Sequence, residues 1–256
     1  MSSTTGNENC LQDCVEKGQK VSCCKKNVIT IDGPAGSGKS TIAKLLSREL
    51  GLKYIDTGAT YRALTLLALE NNIKPEDETS ILRIAEKSKI ELESQPLNET
   101  DYTVLRINGR DVTKEIRSSA VGASVSIVSK LSGVRKFLVR LQRELSKDGG
   151  AVLEGRDTGS VVIPDALLKI YLTAEAEERI KRRDIQNIQK GHSVDKKEVR
   201  EEIFSRDKID SSRKDSPLII PEDAVIIDST HLSIQEVFEK IRDIYNERIH
   251  SKNESL

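Results

Sequence analysis

The chain has 256 residues, 36% hydrophobic and 32% charged, with 41 basic and 41 acidic side chains that cancel to a formal net charge of zero. That length suits one large domain or a core with a small insert, and the balance of charge argues against bulk binding to nucleic acid or membrane, so any binding charge is local. Trp is absent and Phe numbers three, which disfavours stacking on single strands; no apolar run approaches the roughly 20 residues of a membrane span, and no signal-peptide pattern is visible.

In chain order, residues 1–26 are polar and without periodicity, and are expected to form a mobile extension outside the fold. They hold all four cysteines, Cys10, Cys14, Cys23 and Cys24, at spacings unlike those of common zinc sites. A main domain over 27–256 without cysteine needs no disulfide and fits a reducing cytoplasm. "NVITI" reads as a buried strand, and "STIAKLLSREL" as a helix that stops at Gly51. "LKYID" is a second strand and "GATYRALTLLALE" a helix. Pro75 and the acids after it open another helix, through about Lys87. Short strand-like runs around Asn108-Gly109, a hairpin signal, predict an antiparallel insert at about 88–117.

Helices follow at about 118–130 and 133–147. "AVLEG" and "LLKIYL" are the third and fourth core strands. Thr173 and the acids after it open a helix through "AEERIKRRDIQNIQ". A charged helix covers about 195–211, and "AVIID" is the fifth strand. Ser233 and Glu236 form a capping box before the last helix. Strands alternating with helices predict an α/β fold, a five-stranded parallel sheet with helices on both faces.

"GPAGSGKST" joins the first strand to the first helix and matches the phosphate-loop pattern, Gly33 through Gly38-Lys39-Ser40. Gly33, Pro34, Ala35, Gly36, Ser37, Gly38, Lys39, Ser40 and Thr41 are the expected contacts of a nucleoside triphosphate. Glycines let backbone N–H groups turn toward anionic oxygens, and the helix N-terminus adds its dipole. Lys39 can neutralise the β and γ phosphates, and Ser40 can offer a hydroxyl to Mg²⁺. A plain Gly-rich turn is the alternative, but the strand–loop–helix context favours nucleotide binding. The guanine-reading Asn-Lys-x-Asp of a GTP switch is absent.

Arg179, Arg182 and Arg183 share one helical face. In the next helix Arg206, Asp210 and Arg213 fall on the side of Val199 and Ile203, within roughly 80°. The face is either a set of surface ion pairs or a lid, about 174–214, that closes arginines over phosphates and excludes water. Ligands of parallel sheets sit beyond the carboxyl ends of strands. There "DTGATYR" offers Thr57, Tyr61 and Arg62, and "EGRDTG" offers Arg156 and Asp157. Turn chemistry alone would explain Thr57, but two arginines facing a phosphate loop favour an acceptor site. What the phosphoryl acceptor is stays open at this point.

Together "ITIDGPAGSGKST", "YIDTGATYR", "EGRDTGSVVIPDA" and "SRDKIDSSRKDSPL" resemble bacterial cytidylate kinases, from about Val28 to Tyr245. The resemblance implies a nucleoside-monophosphate kinase core that moves the γ-phosphoryl of ATP, with Mg²⁺, onto CMP or dCMP. It implies that Lys39, Arg206 and Arg213 act in catalysis. It implies that Thr57, Tyr61 and Arg62 lie at the acceptor, and that Ser126, Arg135 and Asp157 read the cytosine edge. Arg156, Arg206 and Arg213 would contact phosphate, and Asp210 the sugar. No nucleic acid, membrane or obligatory protein partner is implied, and the place of action would be the cytoplasm. Thr57 stands where many members have Ser, and Glu154 where many have Asp; the role of Glu154 is open. The competing expectations are a kinase of AMP or a shikimate-like acceptor, and a nucleotide-dependent switch without acceptor turnover.

Overall fold

The computed structural model describes residues 26–94, 103–189 and 195–253. Residues 1–25 of the N-terminal extension, with all four cysteines, lie outside the described residues, as do parts of the insert and of the lid; Lys26 belongs to the first strand.

β1 (Lys26–Asp32) runs into the phosphate loop and then α1 (Lys39–Leu50). Gly51, at φ 64°, ends α1 in the left-handed region as expected. β2 (Lys53–Asp56) leads directly into α2 (Thr57–Glu70), whose first turn is capped by the Asp56 carboxylate accepting from the Ala59 N–H at 3.1 Å. α3 (Glu78–Ala85) is shorter than the sequence suggests, because Asp77 rather than Pro75 caps it, accepting from the Ser80 N–H.

The insert is the antiparallel sheet β3 (Ile90–Ser94), β4 (Thr103–Ile107) and β5 (Arg110–Asp111). Asn108 and Gly109 turn at φ 52° and 80°, the backbone that a two-residue hairpin requires. α4 (Ser119–Val128) and α5 (Ser132–Leu145) follow. β6 (Ala151–Gly155) is succeeded by a wide turn of helix, Thr158–Val162, and β7 (Ala166–Thr173). The lid holds α6 (Ala176–Gln189) and α7 (Lys196–Ser212). β8 (Val225–Asp228) and α8 (Ile234–Asn253) complete the chain. Thr173 does not start α6; it pairs with Asp228 at the end of β7.

The main sheet has the order β2-β6-β1-β7-β8, all strands parallel. Alternation along β1 divides the core. Ile29 and Ile31 pack with α1 and α8 on one face, while Val28 joins Ile55, Val139 and Leu153 on the other. A second buried cluster joins α2 and α3 to Leu105 and Ile107 of the insert and to Leu138 of α5. The register aligns the strand ends: Asp32 lies opposite Gly155 and Tyr171, and Asp56 opposite Glu154. The phosphate loop, the start of α2 and the "GRD" turn thus open on one edge.

Candidate active site

The phosphate loop is locked by close approach. A Cβ on Gly33, at φ 148°, would stand 2.0 Å from the Leu172 carbonyl oxygen. One on Gly36, at φ 78°, would press on the backbone of Arg179. Lys39 is buried, and its Nζ donates to the Pro34 carbonyl at 2.6 Å and reaches Ser37 Oγ at 3.4 Å. Burial, then the Arg156 charge, pushes Lys39 well below its ordinary pKa, with Glu154 opposing. Thr41, the last residue of the pattern, is exposed.

Glu154, the residue before the last of β6, joins three elements. Its Oε2 accepts the Ser40 hydroxyl at 2.7 Å, and its Oε1 accepts the Tyr54 hydroxyl. Its carbonyl accepts the Thr57 hydroxyl at 2.7 Å. Burial and the neighbouring Asp56 push its carboxyl up, while the bonds from Tyr54 and Ser40 and the charge of Lys39 oppose them. Thr57, also buried, packs so closely that a Cβ on Gly155 would lie 2.5 Å from its Oγ1.

Past Gly155 the turn presents Arg156 and Asp157 in different directions. Arg156 Nε donates to Asp210 Oδ2 at 2.7 Å, across to α7. Asp157 Oδ2 accepts from Arg135 Nη2 of α5 at 2.6 Å, and both side chains are buried. The Arg135 guanidinium lies 5.2 Å from the centre of the Tyr61 ring. Around that pair the Tyr61 hydroxyl and Arg135 Nε are buried without a hydrogen-bond partner among the described residues, and Arg213 Nη2 has only an ion pair with Asp210 Oδ1, 3.4 Å away. Unpaired polar atoms of this kind are costly unless a ligand meets them. Burial and the Asp157 charge raise the Tyr61 hydroxyl, which stays protonated as a donor. The turn itself is fixed by Asp32, whose oxygens accept from the Thr158 N–H at 2.8 Å and the Gly159 N–H at 2.7 Å.

Cations outnumber their partners between this pocket and the phosphate loop. Burial and the Arg156 charge push Arg206 down to about 10. Arg62 is lowered by burial, with Arg117 and Arg183 adding repulsion and Asp56 opposing. Arg213, lowered by burial and Arg135, caps the end of α7 and lies 3.4 Å from Asp210 Oδ1. Asp210 is pushed up by burial, but Arg156 and Arg213 outweigh this and hold it below its ordinary value. Arg156, Arg206 and Arg213 share buried Asp210, with Asp157 also acting on Arg213, and the surplus of cations leaves a field that an anion would relieve.

Not every residue singled out from the sequence faces this cleft. Arg182 donates to the Ser229 carbonyl at 2.6 Å, and Arg183 pairs with Glu202 at 2.9 Å. Arg179 holds the Ala35 carbonyl at 3.0 Å. Arg179 and Arg182 tie the lid to the core, and Arg183 ties its two helices together; none of the three lines the cleft as a free cation. Ser126 is half-buried on α4, where its carbonyl accepts from the Ser129 hydroxyl; Arg135 binds the Ser129 carbonyl instead, at 3.1 Å. Sequence reasoning missed Tyr54, Asp32 and Asp207. Nothing in their spacing marks them, because each acts across more than 90 residues of chain.

A parallel sheet with a phosphate loop at the end of its central strand defines a P-loop nucleotide-binding protein, and the second, basic pocket facing that loop makes it one of the phosphotransferase kind. The sequence pattern of the family described as cytidylate kinase matches residues 29–247. The chain belongs to the cytidylate kinase family. It is 47% identical over 221 residues to a cytidylate kinase of Geobacillus sp. (strain WCH70), covering 86% of this chain and 97% of that protein. Against the cytidylate kinase of Bacillus velezensis it is 46% identical over 224 residues, 88% of this chain and 98% of that one. The enzyme of that name from Caldanaerobacter subterraneus is 48% identical over 213 residues, 83% and 92%. No helix among the described residues is long and apolar enough to cross a membrane.

Proposed function

We propose that the chain transfers the γ-phosphoryl of ATP, supplied as its Mg²⁺ complex, to CMP or dCMP, giving ADP and CDP or dCDP. The observation that carries this reading is the surplus of arginines between the phosphate loop and the buried Arg135–Asp157 pair. A nucleoside monophosphate is largely dianionic at neutral pH, with its second pKa about 6. It needs no strong base to become a nucleophile. The difficulty is bringing two anions together, and cations remove it.

Lys39 and the loop N–H groups hold the donor phosphates. Anionic oxygens there would add to the counter-charge that Glu154 gives buried Lys39. Ser40 and Glu154 offer a hydroxyl and a carboxylate, the hard oxygen donors that suit Mg²⁺. Among the described residues no cluster of three or more His, Cys, Asp or Glu forms a dedicated metal cage. When bound there, the ion would supply charge neutralisation on the transferring group.

Arg62 and Arg156 hold the acceptor phosphate; Arg206 and Arg213 stabilise the moving phosphoryl group. Asp157 accepts from the cytosine amine, Arg135 and Ser126 donate to the ring acceptors, and Tyr61 and Thr57 close the pocket wall. Asp210 takes a sugar hydroxyl. Uracil would set a carbonyl against Asp157, a mismatch that committed hydrogen-bond groups reject strongly. The kinase core, cysteine-free from residue 27 onward, suits a reducing cytoplasm.

The test is coupled ADP release with CMP, dCMP, UMP, AMP and shikimate. CMP or dCMP is expected to give the highest kcat/KM. Equal use of AMP removes the acceptor assignment, and ATP binding without any acceptor-dependent turnover removes the kinase.

A further inference from the structure

Both lid helices grip one residue in the middle of the phosphate loop. Asp207 of α7 accepts the Ala35 N–H on its Oδ1 at 3.0 Å, and its Oδ2 accepts from Arg179 Nη1 of α6. Arg179 Nη1 also donates to the Ala35 carbonyl at 3.0 Å, and its Nε to the Ala174 carbonyl at 3.0 Å. The two polar backbone groups of Ala35 are thereby both held by the lid. On the far side of the same peptide unit, the Pro34 carbonyl accepts Lys39 Nζ at 2.6 Å. A carboxylate at the N–H end and an ammonium at the C=O end both favour this orientation of the peptide dipole. Arg179 is buried and Asp207 half-buried, so the ion pair is screened less than a surface one.

Asp207 adjoins Arg206 and precedes Asp210 by one turn, so whatever fixes Asp207 fixes that stretch of α7. We propose that Asp207 is a positioning residue: it holds the Pro34–Ala35 peptide and, through it, sets the register of α7 on the phosphate loop, so that Arg206 meets the transferring phosphoryl group. This rests on the phosphoryl-transfer reading above. Asp207 touches neither substrate; it acts through the loop and through its neighbour. The close packing of Gly36 on the Arg179 backbone shows why the bracket is rigid. The loop cannot slide along α6 without steric contact.

The test is kinetic and structural. In Asp207→Ala, kcat with CMP is expected to fall about ten- to hundredfold, the weight of a charged hydrogen bond. The ATP dissociation constant, measured by calorimetry on the whole chain, stays within about threefold, because the other loop amides remain. Asp207→Asn recovers part of kcat: its carbonyl still accepts the Ala35 N–H, while its amide opposes the Arg179 guanidinium. In an Arg206→Ala background the Asp207→Ala change costs less than about threefold, since the group it positions is gone. A merely structural role would cost the same in both backgrounds. Amide exchange at Ala35 in the ligand-free chain speeds up about tenfold or more in Asp207→Ala. An unchanged Ala35 exchange rate, a kcat within about twofold, or a full loss repeated without Arg206 overturns the proposal. If the parent chain fails to use CMP, the acceptor reading is lost, and the exchange measurement alone upholds or overturns the fixing of the loop by Asp207.

Discussion

Glu154 holds the Ser40 hydroxyl on one carboxylate oxygen, 2.7 Å away, and the Tyr54 hydroxyl on the other. The Ser40 hydroxyl, proposed above to meet Mg²⁺, is thus tied to the end of the neighbouring strand, and that strand to the next. Tyr54→Phe removes one charge-assisted bond from a buried carboxylate. It is expected to lower stability by about 1.5–3 kcal/mol in urea unfolding, with kcat nearly kept, because Oε2 still meets Ser40. Glu154→Gln keeps the volume but removes the charge. The Mg²⁺ concentration for half-maximal rate is expected to rise several-fold, whereas an unchanged Mg²⁺ titration would detach Glu154 from the metal site.

Asp157 and Arg135 form a buried pair, 2.6 Å apart. Breaking such a pair from one side typically costs about 3–5 kcal/mol. Asp157→Asn is expected to show that loss in urea unfolding and to raise the CMP KM about a hundredfold. The ATP dissociation constant stays close to that of the parent. An amide can also turn a donor toward a carbonyl, so the preference for CMP over UMP is expected to narrow. A CMP/UMP ratio equal to that of the parent would separate Asp157 from base recognition.

Much of this arrangement is legible in the sequence. The phosphate loop, the five strands and the Asn108-Gly109 hairpin rest on local rules of spacing, β-branching and left-handed turns, and those rules hold here. Residues at strand ends are brought together by the parallel topology, which explains why Thr57, Arg156 and Lys39 could be grouped. What is not legible depends on pairings between distant segments. Nothing near Leu131 caps α5; Glu78 of α3 does so by accepting from the Gly133 N–H. Helical spacing put Arg179, Arg182 and Arg183 on one face, but could not say that backbone carbonyls and carboxylates of other segments would hold them. The Glu154 side chain remained unassigned for the same reason, since both of its partners come from elements at least 100 residues away.

Arg206 has a different character from these structural arginines. It lies half-buried beside Arg156, which repels it, and no hydrogen bond or ion pair joins it to a carboxylate among the described residues. A cation held in that state is poised for an anion rather than for the fold. Arg206→Ala is expected to lower kcat by about a hundred- to a thousandfold, the scale of losing one preorganised contact to developing charge. Its melting temperature should match or exceed that of the parent, since repulsion with Arg156 is relieved. Arg206→Lys restores little, because a point charge does not reproduce the planar fork of donors. A large fall in melting temperature would make Arg206 a structural residue instead.

Asp210 contributes a pH dependence that can be isolated. Burial pushes its carboxyl up, yet Arg156 and Arg213 outweigh that and hold it below the ordinary 3.8. A carboxyl lowered in the folded state stabilises the fold above its unfolded pKa, and this stabilisation is lost as the pH falls through the folded value. The parent should therefore lose melting temperature between about pH 5 and pH 2. Asp77, Asp111, Asp228 and Glu236 are lowered as well, by hydrogen bonds to nearby Ser and Thr residues, and contribute in the same direction. Those four are unchanged in Asp210→Asn, so the difference between the two proteins isolates Asp210. The variant is expected to be less stable at pH 7, where Arg156 and Arg213 face each other without their carboxylate, and to lose less on acidification. The two melting curves should converge toward pH 2. Parallel curves over that range would show that Asp210 carries no net electrostatic stabilisation, and that its place between the arginines is a matter of geometry alone.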